Sequence, residues 1–296
     1  MTDKPVHHSG QFTFGGADPI TVYRLGFGAM RITGPGIWGD PPDHDTAIRV
    51  IRAAVDMGVD FIDTADSYGP FVSEDLIREA LHKGRGDDPH GGVIIATKGA
   101  LTRQGPDQWA VVGRPEYLRQ CVQMSLRRLG VDRIDLWQLH RIDPQVPEDE
   151  QFGVIKEMQD EGLIRHVGLS EVSIEELERA RKVIDIVTVQ NLFHAGLRQS
   201  EALLDHCTAE GIGFIPWFPL GNRALVAPDG PLAHIAASHD CTPAQVALAW
   251  LLQRSPVMLP IPGTGSMEHL KENCDAALVT LEPAAMQELE TAPELG

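Results

Sequence analysis

The chain has 296 residues, 23% of them charged and 43% in the hydrophobic set, so a full core is available and extended disorder is excluded. The 42 acidic and 25 basic residues give a formal net charge of -17, a field that repels nucleic-acid phosphates and anionic lipid surfaces. No run of about 18 apolar residues occurs, and the opening MTDKPVHHSG lacks the apolar stretch of a signal peptide, so the chain reads as cytoplasmic with neither membrane nor nucleic-acid partners.

In chain order a hairpin comes first, QFTF and ITVY around GGADP. Apolar strand-like runs then alternate with amphipathic helical stretches. The runs are RLGFG near 24–28, FIDTA at 61–65, VIIAT at 93–97, IDLWQL at 134–139, HVGLS at 166–170, IVTVQ at 186–190, GFIPW at 213–217 and VMLPI at 257–261. Helix starts are marked by Asp43, by Ser73, by Ser173 with Glu176, and by Thr242 with Pro243. Gly58 and Gly130 read as C-terminal caps. Cys121, Cys207, Cys241 and Cys274 form no CxxC and fall in stretches that read as helix, which predicts small buried hydrophobes. Eight strand-then-helix units without a composition break predict one α/β domain over 1–296, a (β/α)8 TIM barrel whose bottom is closed by the hairpin. The longer connections after the first, third and seventh runs then lie on the C-terminal face, where barrels build their sites.

Four polar residues stand at or just beyond the ends of these runs: Asp63 and Tyr68 in FIDTADSYG, Lys98 in VIIATKG and His140 in IDLWQLH. Taken singly, each reads as well as a turn cap, a solvated charge or a structural histidine. Together, at neighbouring strand ends, they form a proton-donating site aimed at a carbonyl. A phenol with a pKa of about 10 is a poor acid-base catalyst at neutral pH. An adjacent ammonium lowers that pKa, and a carboxylate holds the ammonium in place. No GxGxxG follows a strand, so a dinucleotide would have to be gripped by loops and helix N-termini. The 12 histidines include no HxH, HxxxH or HExxH, which argues against a metal-dependent hydrolase and predicts no metal.

The four residues resemble, position by position, the catalytic tetrad of the aldo-keto reductases, and the resemblance extends over nearly the whole chain. It implies an NAD(P)H-dependent reduction of an aldehyde or ketone. Tyr68 would give the proton, Lys98 would lower the Tyr68 pKa, Asp63 would pair with Lys98, and His140 would orient the carbonyl. By the same resemblance Ser170 and Gln190 would bind the nicotinamide carboxamide and Trp217 would lie against the ring. Pro219, Leu220 and Gly221 would follow the pyrophosphate. The segment PIPGTGSMEHLKEN, with Pro262, Gly263, Ser266 and His269, would grip the adenosine phosphate end, and Glu272 and Asn273 would meet the adenine. Met30 is grouped with these cofactor residues and also offers an apolar wall. Two departures stand out. Glu171 occupies the place where the family commonly has Asn, and the family's cation for the 2′-phosphate is missing, with Lys271 the nearest full-time cation. NADPH is the expected cofactor and NADH the alternative.

The substrate pocket is expected from Trp38, Trp109 and Arg141. The two tryptophans either stack on an aromatic aldehyde or fill their own loops, and Arg141 either meets a polar substituent or pairs with Asp143 or Glu171. The phrases DTADSYGP, QLHRIDP, GLSEVS and IPWFPL resemble a bacterial subgroup associated with pyridoxal reduction. A cofactor-binding redox sensor or regulatory subunit with slow turnover is the alternative reading. By the family's habit the expected state is a monomer or weak homo-oligomer.

Overall fold

A computed structural model describes residues 4–84, 88–221 and 224–294. The expected hairpin is β1 (Gln11–Phe14) against β2 (Ile20–Tyr23), antiparallel. Then come β3 (Phe27–Gly28), α1 (His44–Asp56), β4 (Phe61–Asp63), α2 (Val72–Leu81) and β5 (Ile94–Gly99). A second hairpin, β6 (Leu101–Gly105) with β7 (Gln108–Val111), rises from the connection before α3 (Pro115–Leu129). The alternation resumes with β8 (Ile134–Leu139), α4 (Glu148–Asp160), β9 (Ile164–Ser170), α5 (Ile174–Ala180), β10 (Ile186–Leu192), α6 (Glu201–Glu210) and β11 (Gly213–Trp217). The chain continues through α7 (Ala233–Ser238), α8 (Pro243–Arg254), α9 (Met267–Asp275) and α10 (Pro283–Thr291). Among the described residues no helix is long and apolar enough to cross a membrane.

Seven parallel strands form one curled sheet in the order β11, β10, β9, β8, β5, β4, β3. The segment at 257–262 closes it without becoming a regular strand. On one side Phe214 N–H donates to Val257 O (2.8 Å) and Leu259 N–H donates to Phe214 O (2.8 Å). On the other, Gly26 N–H and Gly28 N–H donate to the carbonyls of Pro260 (2.9 Å) and Pro262 (3.2 Å). Prolines have no N–H to give back, so the seam between the last and first strands is hydrogen-bonded in one direction only. At one end of that seam Gly28 and Gly263 come close together. A Cβ on Gly28 would meet Ile261 O at 2.5 Å, and one on Gly263 would overlap the Gly28 carbonyl.

The floor of the barrel is apolar. Phe14, Ile20 and Val22 of the first hairpin pack against Phe61, Ala96, Leu136, Ile215 and Leu259 from the strands, so the hairpin closes the bottom as expected. Asp43, Ser173 and Thr242 accept from backbone N–H groups at the starts of α1, α5 and α8, the last two in full capping boxes. Gly130 caps α3 in a left-handed conformation, and Gly58 follows the end of α1 with φ 104°. Two further expectations fail. Ser73 does not cap α2, which begins at Val72 behind a left-handed Phe71; Ser73 is buried, bonded to Thr64 Oγ1 (2.7 Å) and donating to Ala29 O (3.1 Å). Cys241 is not helical but lies between α7 and α8, partly exposed, whereas the other three cysteines are buried within helices.

Gly263→Ala should destabilise the protein by about 1–3 kcal/mol, because the seam backbone must part to admit a methyl group. Thermal unfolding reads the change, and an unaltered midpoint would show that the seam has slack.

Candidate active site

Side chains alternate along a strand, so a residue two positions beyond an inward-facing apolar one also faces the lumen. Phe61 leads in this way to Asp63, Ala96 to Lys98, and Leu136 to Gln138 and then His140. The apolar floor is thereby followed, one layer higher, by a polar one. Lys98 is fully buried and Asp63 nearly so. Lys98 Nζ donates to Asp63 Oδ1 (2.6 Å), to Thr64 O (2.8 Å) and to Tyr68 OH (3.4 Å), which accounts for all three of its protons. Asp63 Oδ2 accepts from the amides of Gln138 (3.0 Å) and Gln190 (2.8 Å). Tyr68 reaches the layer from the tight turn after β4, and its ring meets that of His140 edge-on, centroids 6.0 Å apart.

Burial opposes the ammonium charge of Lys98, yet Asp63 and Tyr68 outweigh it and hold the pKa above its usual value. Burial also dominates at Tyr68 and pushes the phenol up, while Lys98 pulls it back. Lys98 thus acts in the expected direction, but the net shift of Tyr68 is upward. Burial, then the charges of Lys98 and Arg141, hold His140 well below the ordinary histidine range, so it is neutral at pH near 7. Behind the layer, burial and the nearby Glu74 push Asp66 up to about 8, so that it carries a proton at neutral pH.

Above the layer opens a cavity of about 730 Å³. Asp63, Tyr68, His140, Arg141, Ser170 and Gln190 form its polar end; Lys98 lies behind Tyr68 and does not reach the wall. Met30, Trp109, Trp217, Pro219, Leu220, Gly221, Pro262 and Gly263 also line it. Ser266, His269, Glu272 and Asn273 lie beyond it. Ser266 caps α9 by accepting from His269 N–H, the Glu272 carbonyl accepts from Gln245 Nε2 (3.1 Å), and Asn273 is buried. Trp38 is on the outer side of its loop, 36% exposed, and Ile37 faces the cavity in its place. Arg141 pairs with neither Asp143 nor Glu171. Its Nη1 donates to His140 O (2.6 Å) and Ser170 Oγ (3.0 Å).

A cavity of this size, polar at one end and largely apolar along its walls, suits a small-molecule ligand. Residues 24–294 match the profile described as the aldo/keto reductase family. The chain belongs to this family. It is 51% identical over 271 residues to an uncharacterized oxidoreductase of Schizosaccharomyces pombe, covering 92% of this chain and 87% of the relative. Its identity to the pyridoxine 4-dehydrogenase of Escherichia coli is 40% over 288 residues, covering 95% and 98%. A crystal structure of a thermostable aldo-keto reductase bound to the inhibitor epalrestat superposes with a TM-score of 0.82 at 29% identity, covering 95% of this chain and 99% of that one. The protein is an NAD(P)H-dependent oxidoreductase acting on carbonyl compounds.

Two features of this aldo-keto reductase were not legible in its sequence. Glu171, at a left-handed backbone position (φ 55°), accepts from Leu192 N–H (2.7 Å) and from the Trp217 indole (2.6 Å), which fixes the aromatic wall. Arg103, on β6, matches all five of its N–H donors to carbonyls. They are Ile37 (2.6 Å), Ser67 (2.8 Å), Gly36 (2.9 Å), Gly105 (3.3 Å) and Gln108 (3.1 Å). Its guanidinium also lies 3.6 Å from the Trp109 ring centroid. It ties the first loop, the Tyr68 loop and the second hairpin together, and it holds Ile37 at φ 53°, which a β-branched residue rarely adopts. The GPDQ turn between two short polar-apolar alternations was the only sequence hint of that hairpin. Arg103→Met should destabilise the enzyme by roughly 2 kcal/mol or more and red-shift the Trp109 emission, because neither the carbonyls nor the ring keeps its partner. Wild-type stability together with wild-type emission would show that the loops hold themselves.

Proposed function

We propose that this aldo-keto reductase reduces aldehydes with NADPH, pyridoxal among them, using Tyr68 as the proton donor. In this reading it is one cytoplasmic reductase domain. The observation that carries it is the Tyr68 hydroxyl held 3.4 Å from Lys98 Nζ, with that ammonium seated on Asp63, at the polar end of the cavity. The likeness to pyridoxine 4-dehydrogenase supports a pyridoxal-sized substrate. The cofactor fits the residues present. Trp217, pinned by Glu171, offers a flat face, and Ser170 and Gln190 offer polar atoms beside it. Lys271 is paired with Asp275, so a 2′-phosphate would rest on backbone N–H groups and the hydroxyl of Ser266 more than on a cation. When bound, the reduced nicotinamide supplies the hydride.

The remaining chemistry is done by the chain. Neutral His140 donates a ring hydrogen to the carbonyl oxygen and fixes its direction. Tyr68 gives its proton to the same oxygen as negative charge develops there, so no free alkoxide has to form. The phenolate left behind is stabilised by Lys98, whose own charge Asp63 holds in place. The upward shift of Tyr68 keeps the phenol protonated at neutral pH, the state that reduction needs.

Tyr68→Phe should lower turnover by roughly 10²–10⁴-fold while NADPH binding is kept. Full activity would remove Tyr68 from the acid role. In Lys98→Met the influence that lowers the Tyr68 pKa is withdrawn, so that pKa rises further. The alkaline limit of reduction should then move to higher pH, and alcohol oxidation, which needs the phenolate, should require a higher pH as well. An unmoved pH profile would contradict the tuning. Pyridoxal and a panel of simple aldehydes, with NADPH and NADH in parallel, test substrate and cofactor; tight NADPH binding without turnover of any of them would favour a sensor.

A further inference from the structure

Arg141 stands in the cavity wall one residue beyond His140. Only its Nη1 is engaged, by His140 O (2.6 Å) and Ser170 Oγ (3.0 Å); among the described residues neither Nε nor Nη2 has a hydrogen-bond partner. No carboxylate among the described residues is in ion-pair contact with it, although the Glu171 carboxylate acts on its charge from farther away. Asp143 is occupied by the backbone N–H groups of Gly113 (2.8 Å) and Gln145 (2.9 Å), and Glu171 Oε1 by Leu192 and Trp217. The buried cations nearby are all paired, Lys98 with Asp63 and Arg128 with Glu74. Arg31, the other cation on the wall, is exposed to water and a weaker receptor for that reason.

A guanidinium does not give up its proton inside a protein, so Arg141 remains charged in a half-buried place. Its free edge carries parallel N–H donors, and the partner that satisfies such an edge best is an anionic oxygen. We propose that Arg141 binds an anionic oxygen carried by the substrate close to its carbonyl group. The enzyme then selects aldehydes and ketones bearing a carboxylate or a ring oxyanion over neutral ones. Tyr68 and His140 fix the carbonyl oxygen and Arg141 fixes a second oxygen, and two points of attachment orient the carbonyl carbon. The ring oxygen next to the formyl group of pyridoxal satisfies this requirement, and so does a carboxylate beside a ketone. The proposal rests on the carbonyl-reductase reading.

The test measures kcat/KM of the NADPH-loaded enzyme for the three formylbenzoate isomers and for benzaldehyde, in the wild type, Arg141→Gln and Arg141→Lys. Because each comparison is a ratio of anionic to neutral substrate within one protein, a general loss of activity cancels. The wild type should favour at least one anionic isomer. In Arg141→Gln that preference should fall by about 10- to 100-fold, the weight of a charge-assisted contact, and Arg141→Lys should restore part of it. A preference unchanged in Arg141→Gln, or an effect confined to NADPH affinity, overturns the proposal while leaving the reductase reading standing. Wild-type enzyme that reduces none of these aldehydes, nor pyridoxal, overturns both.

Discussion

An ion pair without access to water, Lys98 on Asp63, is the constraint around which this barrel is arranged. Burying two charges is unfavourable unless every polar atom they carry is met, and removing one partner of such a pair typically costs about 3–5 kcal/mol. Here both partners are met. Two glutamines from β8 and β10 fill the second carboxylate oxygen, a backbone carbonyl fills one ammonium proton, and the last proton is turned toward Tyr68. The arrangement that satisfies the pair electrostatically is therefore the one that aims it at the phenol. In the proposed mechanism, stability and chemistry draw on the same contacts.

The pair is held by the barrel, and the cavity above it by the loops. Strand alternation stacks a polar layer directly on an apolar floor, and the floor is sealed from below by a hairpin that has no other use for its three buried apolar side chains. The loops above have no such periodicity to organise them. They depend instead on side-chain clamps, Arg103 for the first loop and the second hairpin, Glu171 for the aromatic wall. Both clamps act on strained positions: Arg103 holds Ile37, and Glu171 is itself left-handed. Backbone strain gathers where the wall must be placed to a fraction of an ångström.

This division explains what the sequence disclosed. The strands, the floor and the tetrad follow from a period of two and from polar residues at strand ends, and both are visible in a string of letters. Ser73 misled because a serine before an acidic, apolar-patterned run has the signature of a cap, while its actual partners, Thr64 and Ala29, are distant in sequence. The last run promised a regular strand, but Pro260 and Pro262 leave its edge facing the first strand able to accept and not to donate. Trp38 was expected at the pocket because its loop follows the first strand; the left-handed turn at Ile37 reverses which side chain faces inward. Arg103 was invisible, since nothing in a sequence marks an arginine whose partners are carbonyls of three separate segments. Glu171 was noticed as a departure and as a possible partner of Arg141, and its bond to Trp217 gives that departure a physical reason.

The central claim is that hydride and proton reach one carbonyl in this single site. It is tested most directly by running the reduction of pyridoxal with NADPH carrying deuterium at the transferable position and analysing the alcohol by mass spectrometry and NMR. The account predicts one deuterium on the carbinol carbon and a slower reaction than with unlabelled NADPH if transfer limits the rate. An alcohol free of label, or consumption of NADPH without any alcohol, would contradict it.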